Sequence, residues 1–180
     1  MLHREIVRYD GTEDDYVEKF KYALLSKKER ARFPDDVEFK VAFEERPVYL
    51  MNSKNKIYIL ERFENFGTSE DKDVYRHCDD GTYSIEHIMP QHLTPVWQKE
   101  LGDDYEQIHE EWLHRMANLT LTAYNSKYSN SSFAEKKTMQ NGFDDSGIRM
   151  NTWIAKKDKW TLAELEERSE YLMGRALSIW

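Results

Sequence analysis

Residues 84–91 read SIEHIMPQ, and residues 114–137 read HRMANLTLTAYNSKYSNSSFAEKK. In the first stretch Tyr83, Ile85 and Ile88 follow an Asp80-Gly81 turn signal and make a short strand-like run. In the second, Leu119 and Leu121 alternate with Thr120 and Thr122, the period-two pattern of another strand. Tyr124 to Asn130 is polar turn material, and Ser131 to Met139 reads as a short helix. The segment 81–140 is therefore expected to be a strand–loop–strand–helix unit.

Outward from this unit the chain reads as helical. Thr12 to Ser26 carries Val17, Phe20, Ala23 and Leu24 at helical spacing, with Thr12 as the cap. Pro34 interrupts, and Asp35 or Asp36 caps a second helix running through Phe43. Asn55 to Phe66 gives a third, ended near Gly67, and the polar stretch 68–80 reads as loop. Pro90 and Pro95 frame another loop before a helix over Tyr105 to Met116 with Ile108, Trp112 and Leu113 on one face. After a turn-rich segment from Asn141 to Gly147, a helix is predicted over Asn151 to Lys157. The last helix opens on a Thr161–Glu164 capping box and carries a stripe of Leu162, Leu165, Leu172, Ala176 and Ile179. The fold class expected is mainly α with a small β-hairpin. It divides into a helical N-terminal subdomain (1–80), the strand–strand–helix core (81–140) and C-terminal helices packing on that core (141–180).

Composition narrows the function classes. The chain has 180 residues and a net charge of −8, which argues against a protein that coats nucleic acid through overall charge. The sign is segregated, however. From Ser126 to Trp160 there are seven Lys or Arg against four acids, whereas from Gln98 to Glu111 there is one Lys against six. The single cysteine, Cys78, excludes an intrachain disulfide and a Cys-rich zinc knuckle, and suits a reducing cytoplasm. Met1 to Asp10 lack the apolar run of a signal peptide, and no segment approaches the roughly 20 apolar residues of a membrane span.

The residue types that carry chemistry are Glu86-His87 at the end of one strand, Asn118 at the start of the next, and Asn125, Asn130 and Lys136 beyond it. Phosphodiester hydrolysis needs a base for water, a metal at the phosphate, ligands for that metal, and positive charge near the developing anion. A neutral imidazole accepts a proton near pH 7. Glu and Asn offer the oxygens that a hard cation such as Mg²⁺ prefers. The bland alternatives are an edge pair for Glu86-His87, a turn residue for Asn118, caps for Asn125 and Asn130, and a solvated helix face for Lys136 and Lys137. His114, four residues before Asn118, reads first as a packed helix-end residue and second as one pointing toward the site; His92 and His109 read as surface residues, and the tryptophans as core, with Trp153 beside Lys156 and Lys157 open to DNA contact.

Taken in order, SIEHIMPQ, the 114–137 stretch, NGFDDSGIRMN and the closing LAELEERSEYLMGRALSIW resemble the HNH class of His-Me finger nucleases. More narrowly, they resemble the C-terminal nuclease domain of GmrSD-type, modification-dependent restriction enzymes; FPDDVEFKVAF and KIYILERFEN fit the region before that core. The resemblance implies a ββα-metal core and a bacterial, cytoplasmic phage-defence role. His87 would be the general base, Glu86 a metal ligand, and Asn118 the residue that orients the histidine or pins the loop. Either Asn125 or Asn130 would be the last metal ligand, with Lys136 at the scissile phosphate. The cofactor would be Mg²⁺, with Mn²⁺ as a substitute. DNA would meet Lys127, Lys136, Lys137, Arg149, Lys156 and Lys157. Ala117 departs from the family's usual glycine before the Asn. The resemblance also implies an N-terminal nucleotide-hydrolysing domain or subunit, yet the chain carries no phosphate-binding Gly-rich loop. Two other readings stand beside the nuclease: a non-catalytic DNA-binding or regulatory module, motivated by the acidic charge, and a helical protein-interaction domain.

Overall fold

A computed structural model describes residues 11–27 and 33–180, the side chains of residues 13, 14, 125 and 126 excepted. Residues 1–42 and 43–180 form two separate compact units, so the division falls between Ala42 and Phe43. The first unit contains α1 (Glu13–Leu25) and the start of α2 (Asp36–Glu45). α2 begins after Pro34 because Asp35 and Glu38 cap it reciprocally: the Glu38 amide donates to Asp35 Oδ1 at 2.9 Å, and the Asp35 amide to Glu38 Oε2 at 3.2 Å. Val17, Phe20, Leu24, Phe33 and Val37 line an apolar groove in this unit.

The second unit is mostly helical around one small sheet. α3 (Ser53–Asn65) starts where Asn52 Oδ1 accepts from the Asn55 amide. α4 (Val74–Asp79) occupies part of the stretch whose polarity suggested loop; Asp73 caps it through the Arg76 amide, and Val74 anchors it, fully buried. β1 (Ser84–His87) and β2 (Leu119–Thr122) pair antiparallel, with Ser84 opposite Thr122 and His87 opposite Leu119. Between them run α5 (Pro95–Leu101) and α6 (Tyr105–Trp112). The proline at 95 opens α5, since a first helical position needs no N–H donor.

After β2 come two short helices, α7 (Asn125–Tyr128) and α8 (Phe133–Thr138), the second opened by a Ser132–Glu135 capping box. α9 is a single turn, Asn151–Ile154, and α10 (Leu162–Ile179) begins at the expected Thr161–Glu164 box. The mainly helical chain with a two-stranded antiparallel element thus matches the expected class. No helix among the described residues is long and apolar enough to cross a membrane.

The core of this unit gathers Ile88, Trp97, Trp112, Phe133, Phe143, Ile154, Trp160 and Leu165 around the sheet. Trp97 and Trp160 are fully buried, as expected for core tryptophans; Trp180 is 44% exposed. Buried Glu64 ties α3 to the segment before α9, accepting from the Arg149 and Met150 amides at 2.9 and 3.0 Å and from Lys72 Nζ at 2.7 Å. A buried carboxylate is tolerable when its oxygens are satisfied in this way.

Candidate functional site

β1 ends in two buried polar residues, and the pleat sends them in different directions. Glu86 meets Lys136 of α8: Nζ lies 2.5 Å from Oε1, with both side chains nearly excluded from solvent. The same ammonium donates to the carbonyls of His87 at 2.9 Å and Ile88 at 3.2 Å, so all three of its protons have acceptors. Burial raises the Glu86 carboxyl to about 7 against the pull of Lys136, and it lowers Lys136 against the pull of Glu86. α8 is held in place by the turn that follows. A Cβ on Gly142 would lie 2.5 Å from the Lys137 carbonyl oxygen and 2.6 Å from that of Lys136, so only glycine closes this turn.

His87 points toward two aromatic partners. Its Nε2 lies 3.2 Å from His114 Nδ1. Tyr49 stacks on the His114 ring with centroids 5.4 Å apart and 11° between planes, and it meets His87 edge-on at 4.3 Å. The Tyr49 amide donates to the His114 carbonyl at 3.1 Å, and Lys56 Nζ sits over the Tyr49 ring while donating to the Tyr49 carbonyl. Burial, then the neighbouring His114 and Lys136, hold His87 down at about 3, so its imidazole is neutral at neutral pH. His114 is also lowered, by burial and then by His109.

Asn118 is wholly buried and pins the loop after β1. Its Oδ1 accepts from the Met89 amide at 2.8 Å, and its Nδ2 donates to the Met89 carbonyl at 2.9 Å and the Leu113 carbonyl at 3.1 Å. Of the two roles expected for it, this geometry is loop-pinning. Arg168 of α10 donates to the Ala117 carbonyl at 2.8 Å and holds the same turn from behind.

Glu86, His87 and Asn130 line one open cleft of about 230 Å³, together with Tyr49, Pro90, His92 and Ser129. The sequence thus brings three of its expected site residues to one surface. The Asn125 backbone opens α7, but its side chain lies outside the described residues, so the comparison with Asn130 rests on Asn130 alone. Lys136 is corrected: it lies beneath the strand with no exposure, and its ammonium is engaged by Glu86 and backbone carbonyls, not turned toward a phosphate or a nucleic-acid surface.

The other expected basic contacts are spread out. Arg149 donates to the carbonyls of Glu64 and Glu70. Lys137 is half-buried on the Lys157 carbonyl and Asp158, and Lys157 pairs with Glu167 over the Trp153 ring. Lys127, near the Tyr124 ring, and Lys156 are exposed. Tyr49 had no place in the sequence reading; His92 is exposed, as expected of a surface residue, and His114, weighed between helix-end packing and pointing toward the site, lies against His87. The signal for His114 was its place four residues before Asn118, which the antiparallel register carries to the end of β1.

Among the described residues no three His, Cys, Asp or Glu side chains gather to cage a metal ion. The cleft does offer two oxygen donors, the Glu86 carboxylate and the Asn130 amide, with Glu86 Oε2 not held by Lys136. Such a set suits a hard divalent cation, which takes one or two protein groups and completes its shell with water and phosphate.

A family model described as GmrSD restriction endonucleases, C-terminal domain, matches residues 33–175. No curated protein matches the chain.

Proposed function

The chain belongs to the GmrSD restriction endonuclease C-terminal domain family, and from that premise we propose that it is a metal-dependent DNA nuclease domain whose active site is the Glu86–His87–Asn130 cleft. The observation that carries this reading is the meeting of a neutral, buried imidazole with two oxygen donors in one open cleft at the end of β1. The antiparallel β1–β2 pair, followed directly by α7 and α8, supports the HNH, ββα-metal reading of this segment, with α5 and α6 inserted between the strands.

Glu86 and Asn130, or Asn125, would hold a Mg²⁺ or Mn²⁺ ion. When bound, that ion supplies Lewis acidity at the phosphate and charge for the leaving oxygen. His87 takes a proton from water as the water oxygen forms a bond to phosphorus, and the bond to the 3′ oxygen breaks to leave a 5′-phosphate. Asn118 and Lys136 act behind the cleft: one fixes the loop that follows the base, the other fixes Glu86 and the carbonyls of residues 87 and 88. Of the basic residues expected to meet DNA, Lys127 and Lys156 are exposed, and we assign DNA contact to them. The family's description as a C-terminal domain supports joint action with an N-terminal nucleotide-hydrolysing domain or subunit, in bacterial defence against modified or phage DNA.

The test is plasmid cleavage by the parent chain and His87→Ala with Mg²⁺ or Mn²⁺. The parent should convert supercoiled DNA to nicked or linear product, and the variant should not. The acidic charge of −8 favours the second reading, a DNA-binding or regulatory module without catalysis. That reading predicts salt-dependent DNA binding with equal, background cleavage by both proteins.

A further inference from the structure

We propose that His114 is the positioning partner of His87: it accepts the His87 Nε2–H at its own Nδ1 and thereby keeps His87 Nδ1 bare for the water proton. This rests on the reading of His87 as the base. A neutral imidazole has one N–H and one bare nitrogen, so a base is useful only if the bare nitrogen faces the reaction. His87 Nε2 is committed to His114 at 3.2 Å, and His87 also lines the cleft, leaving Nδ1 as the ring nitrogen that His114 does not engage. A carboxylate, amide or carbonyl oxygen would ordinarily fix such a tautomer. Here Asn118 does not serve, because its amide is spent on Met89, Leu113 and the Trp160 indole N–H. The imidazole of His114 takes the place of that oxygen.

The arrangement around His114 is that of a fixed partner. Its ring lies flat on Tyr49, its carbonyl accepts from the Tyr49 amide, and Tyr49 in turn is braced by Lys56, whose ammonium sits over the ring and donates to the Tyr49 carbonyl. The one tyrosine therefore sets both imidazole planes, 11° from His114 and 66° from His87. When His87 gains a proton at Nδ1, its Nε2–H becomes a charge-assisted donor to the same acceptor, so the contact strengthens as the reaction proceeds. Hydrogen bonds that improve in this way raise turnover more than substrate binding.

The experiment reads the tautomer directly, by long-range ¹H–¹⁵N correlation of the histidine side chains in the full metal-free chain, and reads turnover separately. The parent should show His87 as a single Nε2–H tautomer. His114→Phe, which keeps a ring on Tyr49 but no acceptor, should give mixed His87 tautomers and a kcat about 10- to 100-fold lower with KM for DNA little changed. His114→Gln, whose amide oxygen can accept, should restore the tautomer and part of the rate. His87 found as Nδ1–H in the parent, or a His114→Phe protein with the parent tautomer and kcat, would overturn the proposal. The two claims fail separately: equal cleavage by parent and His87→Ala removes the nuclease reading whatever the tautomer, whereas a wrong tautomer beside a dead His87→Ala removes only the role of His114.

Discussion

Two buried polar clusters meet at the same short sheet, and they differ in what they leave unused. In the interior, Lys136, Asn118 and Asn151 are fully buried and satisfied. Lys136 makes three bonds, Asn118 bonds Met89 and Leu113, and Asn151 accepts from Thr120 while donating to the Leu121 carbonyl and Ser146. At the cleft, His87 has one ring nitrogen on His114 and Glu86 one oxygen on Lys136, with Asn130 exposed beside them. Satisfied buried groups specify a fold; spare bonding capacity at a solvent opening can meet a substrate. On the proposed function, the first cluster is scaffold and the second is where chemistry would occur.

The largest effect should come from Lys136→Met in the scaffold cluster. Removing one partner of a buried ion pair leaves Glu86 uncompensated and strips the His87 and Ile88 carbonyls of a donor. Urea unfolding should show a loss of about 3–5 kcal/mol. Adding Glu86→Gln should recover part of that loss, because the stranded carboxylate is gone. If Lys136→Met unfolds like the parent, the scaffold side of the comparison is broken.

A smaller effect separates the clusters by pH. His87 is held at about 3 in the folded chain against an ordinary value of 6.5. The unfolded chain therefore binds a proton that the folded one refuses. Stability from this group is complete above about 6.5 and is lost as pH falls toward 3, at up to about 1.4 kcal/mol per pH unit. Melting temperatures of the metal-free parent between pH 7 and pH 5 should fall more steeply than those of His87→Ala. Parallel curves would mean that the imidazole is not buried neutral.

The smallest effect lies at the surface. Lys156→Ala should weaken DNA binding about equally across sequences and lower the slope of log Kd against log salt by about one, with no change in melting temperature. An unchanged slope would take Lys156 out of the DNA surface.

How much of this was legible in the sequence follows from the same contrast. Glu86, His87 and Asn130 were singled out through the family resemblance, Asn130 on a par with Asn125, and the fold brings these three to one cleft. Asn118 was legible as a site-supporting residue, but not which loop it pins, since its partner Met89 is 29 positions away. Lys136 looked like a solvated helix face because six residues of α8 do not declare which side is buried. Tyr49 carries no motif at all; only the fold brings it from before α3 to the two histidines. α4 was read as loop because its polar composition hid a short helix set by Asp73, and the segment opened by Pro95, where α5 runs, was given no element.

The central claim is tested most directly by the single-turnover rate of DNA cleavage for His87→Ala against the parent, both shown to be folded, with saturating Mg²⁺. We predict a fall of at least about 100-fold, with a loss of melting temperature that leaves the variant folded at the assay temperature. Equal rates in two folded proteins would contradict it.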